Sequence, residues 1–255
     1  MKTAMNEVGL IFGSAAHMAE VASGAAALVL TSPPYFPDEI EARLRKGSLP
    51  ASEVDGFERR IRDFAISLRP VFEECARVLR QDGAIVIQTR DVRLDDRLVA
   101  VEGIHRTLVE ALGFILYARY VWRPKHTTLP RSRQLRAARA RGAPRPFDPE
   151  VFLALKRPGT RHRGSPLEED TRLLGADLAK TSVGRLPESH PFQSPIPMLE
   201  AIIRSFTRKG DLVVDPFAGG ATTLVVARRL SRRSIGYEIS PEAFSLAERN
   251  IEAAQ

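Results

Sequence analysis

Two apolar runs in this chain each stop at a turn containing proline, and that pattern restricts its fold more than any other. Ala26-Ala27-Leu28-Val29-Leu30 ends at Thr31-Ser32-Pro33-Pro34-Tyr35, and Leu212-Val213-Val214, in the strand expected from Asp211, ends at Asp215-Pro216-Phe217-Ala218-Gly219-Gly220. A continuous apolar run without polar alternation fits a strand covered on both faces, as in a parallel sheet. Val8 to Phe12, Ala84 to Ile87, Phe114 to Trp122 and Ser234 to Glu238 read as further strands. Between them the apolar spacing lengthens to three or four residues. Phe57, Ile61, Phe64, Leu68, Phe72, Cys75 and Leu79 form one helical stripe, kinked or split at Pro70 and closed by Asp82-Gly83. Helices are expected over 104–112, 196–207, 222–230 and 241–253, with a small one over 15–22. Strands alternating with helices predict an α/β, doubly wound, mostly parallel sheet.

Charge divides the chain. Of the net +7, the segment from Arg119 to Arg163 carries thirteen Lys and Arg against two acids, so the remainder is slightly acidic. A basic segment in a near-neutral body suits a polyanionic partner, although a solvated loop has the same signature. The Pro-, Arg- and Gly-rich stretch from about 124 to 190 has weak periodicity and reads as an insertion. The expected division is therefore 1–124, an inserted 125–188, and 189–255.

Some function classes drop out. The longest apolar stretch is too short to span a bilayer, and the N-terminus lacks a signal-peptide layout. With one cysteine, Cys75, no intrachain disulfide forms, and a cytoplasmic setting is expected. No Cys/His cluster has zinc spacing, so no metal is expected. No Gly-x-x-x-x-Gly-Lys-Ser/Thr is present, which removes the P-loop reading. Cys75 falls on the apolar stripe and follows no proline, so a thiol nucleophile is not expected.

The Asp215 to Thr223 turn sits between a strand and a helix. Its glycines let the backbone approach a ligand, and a helix N-terminus faces the same point. Glu238 closes the next strand 19 residues after Gly219, where an acid can accept from both ribose hydroxyls of an adenine nucleoside. In Thr31 to Tyr35, two prolines fix the backbone and restrict Ser32 as well. Such a loop would aim the Ser32 hydroxyl and a carbonyl at one point, with the Tyr35 ring available for stacking. An aromatic amine is a poor nucleophile because its lone pair is delocalised. Two acceptors on its N–H groups favour a more tetrahedral nitrogen, a gain in positioning and electrostatics. Taken alone, each element is equally a tight turn.

Together and in this order, they resemble the β-class amino-methyltransferases of DNA. That family carries (Ser/Asp/Asn)-Pro-Pro-Tyr first, a target-recognition segment next, and Asp-Pro-Phe-x-Gly-x-Gly-Thr near the C-terminus. Leu79 to Ile87, Gly113-Phe114, Val121 to Lys125 and His190-Pro191 resemble further family segments. The resemblance implies the Rossmann-like methyltransferase fold, S-adenosyl-L-methionine as cofactor, duplex DNA as partner and a homodimer. By the same resemblance, Ser32, Pro33, Pro34 and Tyr35 form the catalytic loop, with Tyr35 and Phe36 against a base flipped out of the duplex. Asp215, Phe217, Gly219, Thr222, Glu238, His190 and Pro191 hold the cofactor, Asp215 facing its methionine end. Arg131, Arg133, Arg136, Arg139 and Arg141 are the DNA-binding candidates, for phosphates or guanine edges. The expected activity is site-specific transfer to adenine N6, with cytosine N4 as the alternative, in a restriction-modification or regulatory setting. A non-catalytic, cofactor-responsive DNA-binding regulator and an RNA-base methyltransferase are the rivals. Two departures from the family stand out: Ala221 replaces a glycine, with a negative φ expected there, and Ser14 follows Gly13 where an acid is common.

Overall fold

The computed structural model describes residues 8–34, 54–94, 97–122, 150–160, 186 and 194–254. Strand β1 is Val8–Phe12 and β2 is Ala26–Thr31. Helices α1 (Val54–Ser67) and α2 (Arg69–Val78) lead into β3, Leu79–Thr89. A small hairpin of β4 (Val92–Leu94) and β5 (Arg97–Val99) precedes α3, Val101–Glu110. Strands β6 (Ile115–Trp122) and β7 (Glu150–Lys156) follow. The chain then runs through α4 (Ile196–Phe206), β8 (Leu212–Asp215), α5 (Thr222–Arg229), β9 (Arg233–Glu238) and α6 (Pro241–Ala253).

The main sheet has the order β1-β9-β8-β2-β3-β7-β6. Pairs from β1 through β3 are parallel, whereas β7 runs antiparallel to both β3 and β6. Both faces are covered. Leu28, Leu30, Ala84 and Val86 pack with Ile202, Ile203 and Val226 from α4 and α5. Val29, Ile85 and Ile87 pack on the other side with Phe72, Cys75 and Val109. Burial on two faces explains why β2 is apolar at every position but its last, Thr31. The doubly wound, mostly parallel fold is the one expected.

β2 and β8 are neighbours. After β2 the chain moves outward to β3, and after β8 it moves the opposite way to β9. Connections diverging from adjacent parallel strands open a crevice at their C-terminal ends. The two proline-containing loops, distant in sequence, therefore leave the sheet side by side.

Three local readings change. The stretch 15–22 forms turns rather than a helix, because its backbone groups are taken by α2. The Arg77 guanidinium donates to the carbonyls of Met18 and Val21, and the Met18 N–H donates to Glu74. The helical stripe divides at Leu68, one residue before Arg69-Pro70 opens α2, and gives way to β3 at Leu79, before Asp82-Gly83. Within the expected insertion, Glu150–Lys156 is a sheet strand, with Val151 to Leu155 all buried. The stretch 125–188 is thus not one uninterrupted insertion. Cys75 is fully buried as expected, and burial pushes its thiol well above the usual range. Trp122 is likewise core, at 4% exposure.

At Gly236 on β9, an added Cβ would sit 2.8 Å from Leu224 Cδ1 and 2.9 Å from the Ala218 Cβ. Ala218 belongs to the glycine turn and has little room to retreat. Gly236→Ala is therefore expected to cost about 1–3 kcal/mol of stability through overpacking. Denaturant unfolding checks this, and an unchanged midpoint refutes it.

Candidate active site

The Ser-Pro-Pro loop follows the last residue of β2. Thr31 is buried, Ser32 half-buried, Pro33 buried and Pro34 exposed. Burial of Thr31 and Pro33 on either side fixes Ser32 at the C-terminal edge of the sheet. Tyr35 and Phe36 lie outside the described residues.

Asp215 ends β8 and is 3% exposed. Its Oδ1 accepts from the Thr31 hydroxyl at 2.8 Å and from the Phe217 N–H at 3.1 Å, and Thr223 also hydrogen-bonds the carboxyl. One carboxyl thus holds the Ser-Pro-Pro loop, the glycine turn and the start of α5 together. Burial raises its pKa to about 6 despite these bonds, with Glu238 adding a smaller like-charge push.

The turn itself is tight. The Ala221 N–H donates to the Ala218 carbonyl at 2.8 Å. Ala221 caps α5 in the left-handed region, with φ 61°, in place of the expected negative φ. A left-handed alanine costs about 1–2 kcal/mol. Ala221 is fully buried against Ala218, Leu224 and Ala247, and that methyl burial offsets much of the strain.

Glu238 is half-buried, and both of its oxygens are anchored by backbone. Oε2 accepts from the Gly219 N–H and Oε1 from the Ser240 N–H, each at 2.8 Å. Ser240 in turn caps α6. Each carboxylate oxygen keeps lone pairs for a ligand, and the carboxylate is already oriented.

A cleft of about 190 Å³ opens beside it. Its walls come from Ser14 to Ala16 after β1, from Leu68, Pro70 and Val71 at the α1–α2 junction, and from Phe217, Glu238 and Ile239. These are mainly apolar surfaces around one fixed carboxylate, which suits a flat heterocycle joined to a diol. An adenine nucleoside fits that donor and wall set. Ser14 stands in the cleft and its Oγ accepts from the Ala16 N–H at 3.2 Å.

Of the expected cofactor residues, Phe217 and Glu238 line the cleft. Gly219 is bonded to Glu238, while Asp215 and Thr222 are buried beneath the turn. His190, Pro191, Arg131, Arg133, Arg136, Arg139 and Arg141 lie outside the described residues. Asp91 is engaged at the N-terminus of α3, where its Oδ1 accepts from the Glu102 N–H at 3.1 Å. Sequence reasoning missed Ile239, a large apolar side chain left 69% exposed at the cleft. Its place directly after Glu238 was the available signal. It also missed the α1–α2 wall and the Thr31–Asp215 bond, which only the adjacency of β2 and β8 creates.

The basic stretch leaves the sheet at the same edge. β6 runs parallel to β3, so Trp122 ends at the Ser32 edge, and Glu150 pairs with Trp122 to begin the return. Among the described residues, no group of three His, Cys, Asp or Glu could hold a metal ion. No described helix is long and apolar enough to cross a membrane.

Residues 161–249 match the family model of DNA methylases of the N6/N4 type. The Type II methyltransferase M2.DpnII of Streptococcus pneumoniae is 47% identical over 64 residues, which is 25% of this chain and 24% of that protein. The Type II methyltransferase M.MjaI of Methanocaldococcus jannaschii is 26% identical over an alignment covering 95% of this chain and 90% of its own. The fold is similar to that of TTHA0409 from Thermus thermophilus, in a structure complexed with S-adenosyl-L-methionine. The TM-score is 0.68 and the identity 26%, over 97% of this chain and 96% of that one. The chain thus spans about a quarter of the first of these relatives and nearly all of the other two.

Proposed function

We propose that the chain is a DNA amino-methyltransferase of the β class, transferring the methyl group of S-adenosyl-L-methionine to adenine N6 in duplex DNA at the Ser32-Pro33-Pro34-Tyr35 loop. One observation carries this reading. The acceptor loop and the cofactor turn leave adjacent strands and are joined by the Thr31–Asp215 hydrogen bond. Two half-sites distant in sequence are thereby held in one place.

The cofactor supplies an electrophilic methyl sulfonium. Glu238, preset by the Gly219 and Ser240 amides, accepts from its ribose hydroxyls, and Phe217 and Ile239 flank its adenine. Asp215 places negative charge beneath the turn, on the side of the cationic methionine end. His190 and Pro191 are assigned to the cofactor from their sequence motif alone. Ser32 Oγ and the Pro33 carbonyl accept the two amine N–H groups and turn the nitrogen lone pair toward the methyl. Tyr35 stacks on the extruded base. Methylation forms an N–C bond, breaks the S–C bond and releases one amine proton. The arginines over 131–141, in the sequence between β6 and β7, would bind phosphates and give salt-dependent affinity. A homodimer presents two such segments to the duplex.

Cytosine N4 is the second reading, favoured by serine rather than aspartate at position 32. Radiolabelled transfer to duplex DNA, single strands and RNA, followed by mass spectrometry of the nucleosides, tests all of this. N6-methyladenine from duplex DNA is expected. N4-methylcytosine reassigns the base, and RNA-only transfer or no transfer overturns the reading. Glu238→Ala is expected to weaken cofactor binding about ten- to hundredfold, the worth of charge-assisted hydrogen bonds. Unchanged calorimetric affinity refutes the ribose role.

A further inference from the structure

A row of polar side chains crosses one face of the sheet at the edge where the acceptor loop stands. Side chains two apart along a strand share a face. Leu28 and Leu30 of β2, Ala84 and Val86 of β3, Phe152 and Ala154 of β7, and Tyr120 and Trp122 of β6 all belong to one core cluster. Continuing that alternation places Ser32, Gln88 and Glu150 on the same face as Trp122. Thr31 pairs with Ile87, so Ser32 stands beside Gln88, and Glu150 pairs with Trp122.

Two atoms in this row are buried without a hydrogen-bond partner among the described residues, Gln88 Oε1 and Trp122 Nε1. Gln88 is 3% and Trp122 4% exposed. Gln88 Nε2 donates to Glu150 Oε2. That bond fixes the amide and leaves its oxygen as the free end. An unsatisfied buried acceptor and an unsatisfied buried donor are each costly. Their coincidence in one row beside Ser32 marks a place built for a complementary group.

We propose that Gln88 and Trp122 read the ring edge of the target base, with Glu150 as the brace that orients Gln88. This rests on Ser32 being the amine acceptor site. One amine N–H of adenine or cytosine is shared between Ser32 Oγ and Gln88 Oε1 as a three-centre hydrogen bond, and the neighbouring ring nitrogen accepts from the Trp122 indole N–H. Guanine and thymine present the reverse order, a carbonyl and then a ring N–H. In this row they set carbonyl against carbonyl and N–H against N–H. The pair therefore admits the two amino bases and rejects the two oxo bases, by leaving buried polar groups unpaired.

The test uses Trp122→Phe and Gln88→Leu in the full chain, with three readouts: transfer to unmethylated genomic DNA, calorimetric cofactor affinity and thermal melting. Transfer is expected to fall about ten- to hundredfold in each variant, with cofactor affinity within about twofold of wild type. Trp122→Phe also removes an orphaned donor, so its melting midpoint should hold or rise. A structural role would instead lower melting and transfer together. If wild type and both variants transfer equally, or if the variants lose cofactor affinity in step with activity, the base-reading role is overturned and the acceptor site stands. If wild type itself methylates no DNA, both readings are overturned.

Discussion

Replacing Ser32 and Tyr35 together by alanine should abolish methyl transfer while leaving cofactor binding intact. The two sites share a framework but not their contacts. Glu238, Gly219 and the α1–α2 wall are proposed to hold the cofactor, and Ser32 does not line that cleft. The truncated loop keeps Pro33 and Pro34, so its backbone path is retained. What disappears is the proposed acceptor for the amine and the proposed stacking face for the base. Losing a preorganised polar contact costs about a hundred- to thousandfold, and losing a stacking platform a further ~1–3 kcal/mol. Together these put turnover below a radiolabel assay's background. Calorimetry with the cofactor should give the wild-type affinity. Undiminished turnover sinks the acceptor assignment, and lost cofactor affinity shows that the two halves are not separable.

Asp215→Asn should make the protein more stable at neutral pH and less able to bind its cofactor. The folded carboxyl titrates near 6, above the ordinary value of 3.8. Folding therefore takes up a proton between about pH 4 and 6. The stabilising contribution of the neutral acid is complete below about pH 4 and is lost as pH rises through 6. At pH 8 the ionised, buried group costs about 3 kcal/mol. Asparagine keeps an oxygen for the Thr31 hydroxyl and the Phe217 amide but carries no charge. Its advantage should be full at pH 8 and vanish near pH 4, as measured by denaturant unfolding across that range. The same missing charge should weaken binding of a cationic sulfonium. A variant less stable than wild type at every pH would show that Asp215 acts only through its hydrogen bonds.

β2 and the second half of β3 were legible because they are buried on both faces and read as largely apolar runs. β7 carries the same signature, Val151 to Leu155, but it is embedded in a basic stretch whose composition dominates any wider window. The stretch 15–22 misleads for a different reason. Its apolar spacing is helical, yet its carbonyls are claimed by Arg77, far along the chain. Ala221 shows the limit of arguing from residue type, since burial in a tight turn holds an alanine where glycine is usual. The two loops of the candidate site were visible as motifs. The Thr31–Asp215 bond joining them was not, because it depends on which strands become neighbours. Gln88, Glu150 and Trp122 were invisible as a group for the same reason, sitting on three strands brought together by register alone.

The pairing of Trp122 with Glu150 has a consequence for how such a protein can diversify. Residues 123–149, with eight Lys and Arg against one acid, are spliced between two chain positions held one strand apart. Exchanging or lengthening that segment leaves every rung of the sheet in place, and doubling its length adds only about 0.6 kcal/mol of closure entropy. The part expected to choose a DNA site is thus a replaceable cassette, and the part expected to perform the chemistry is a fixed chassis. A chain built this way can acquire a new target sequence without relearning how to methylate.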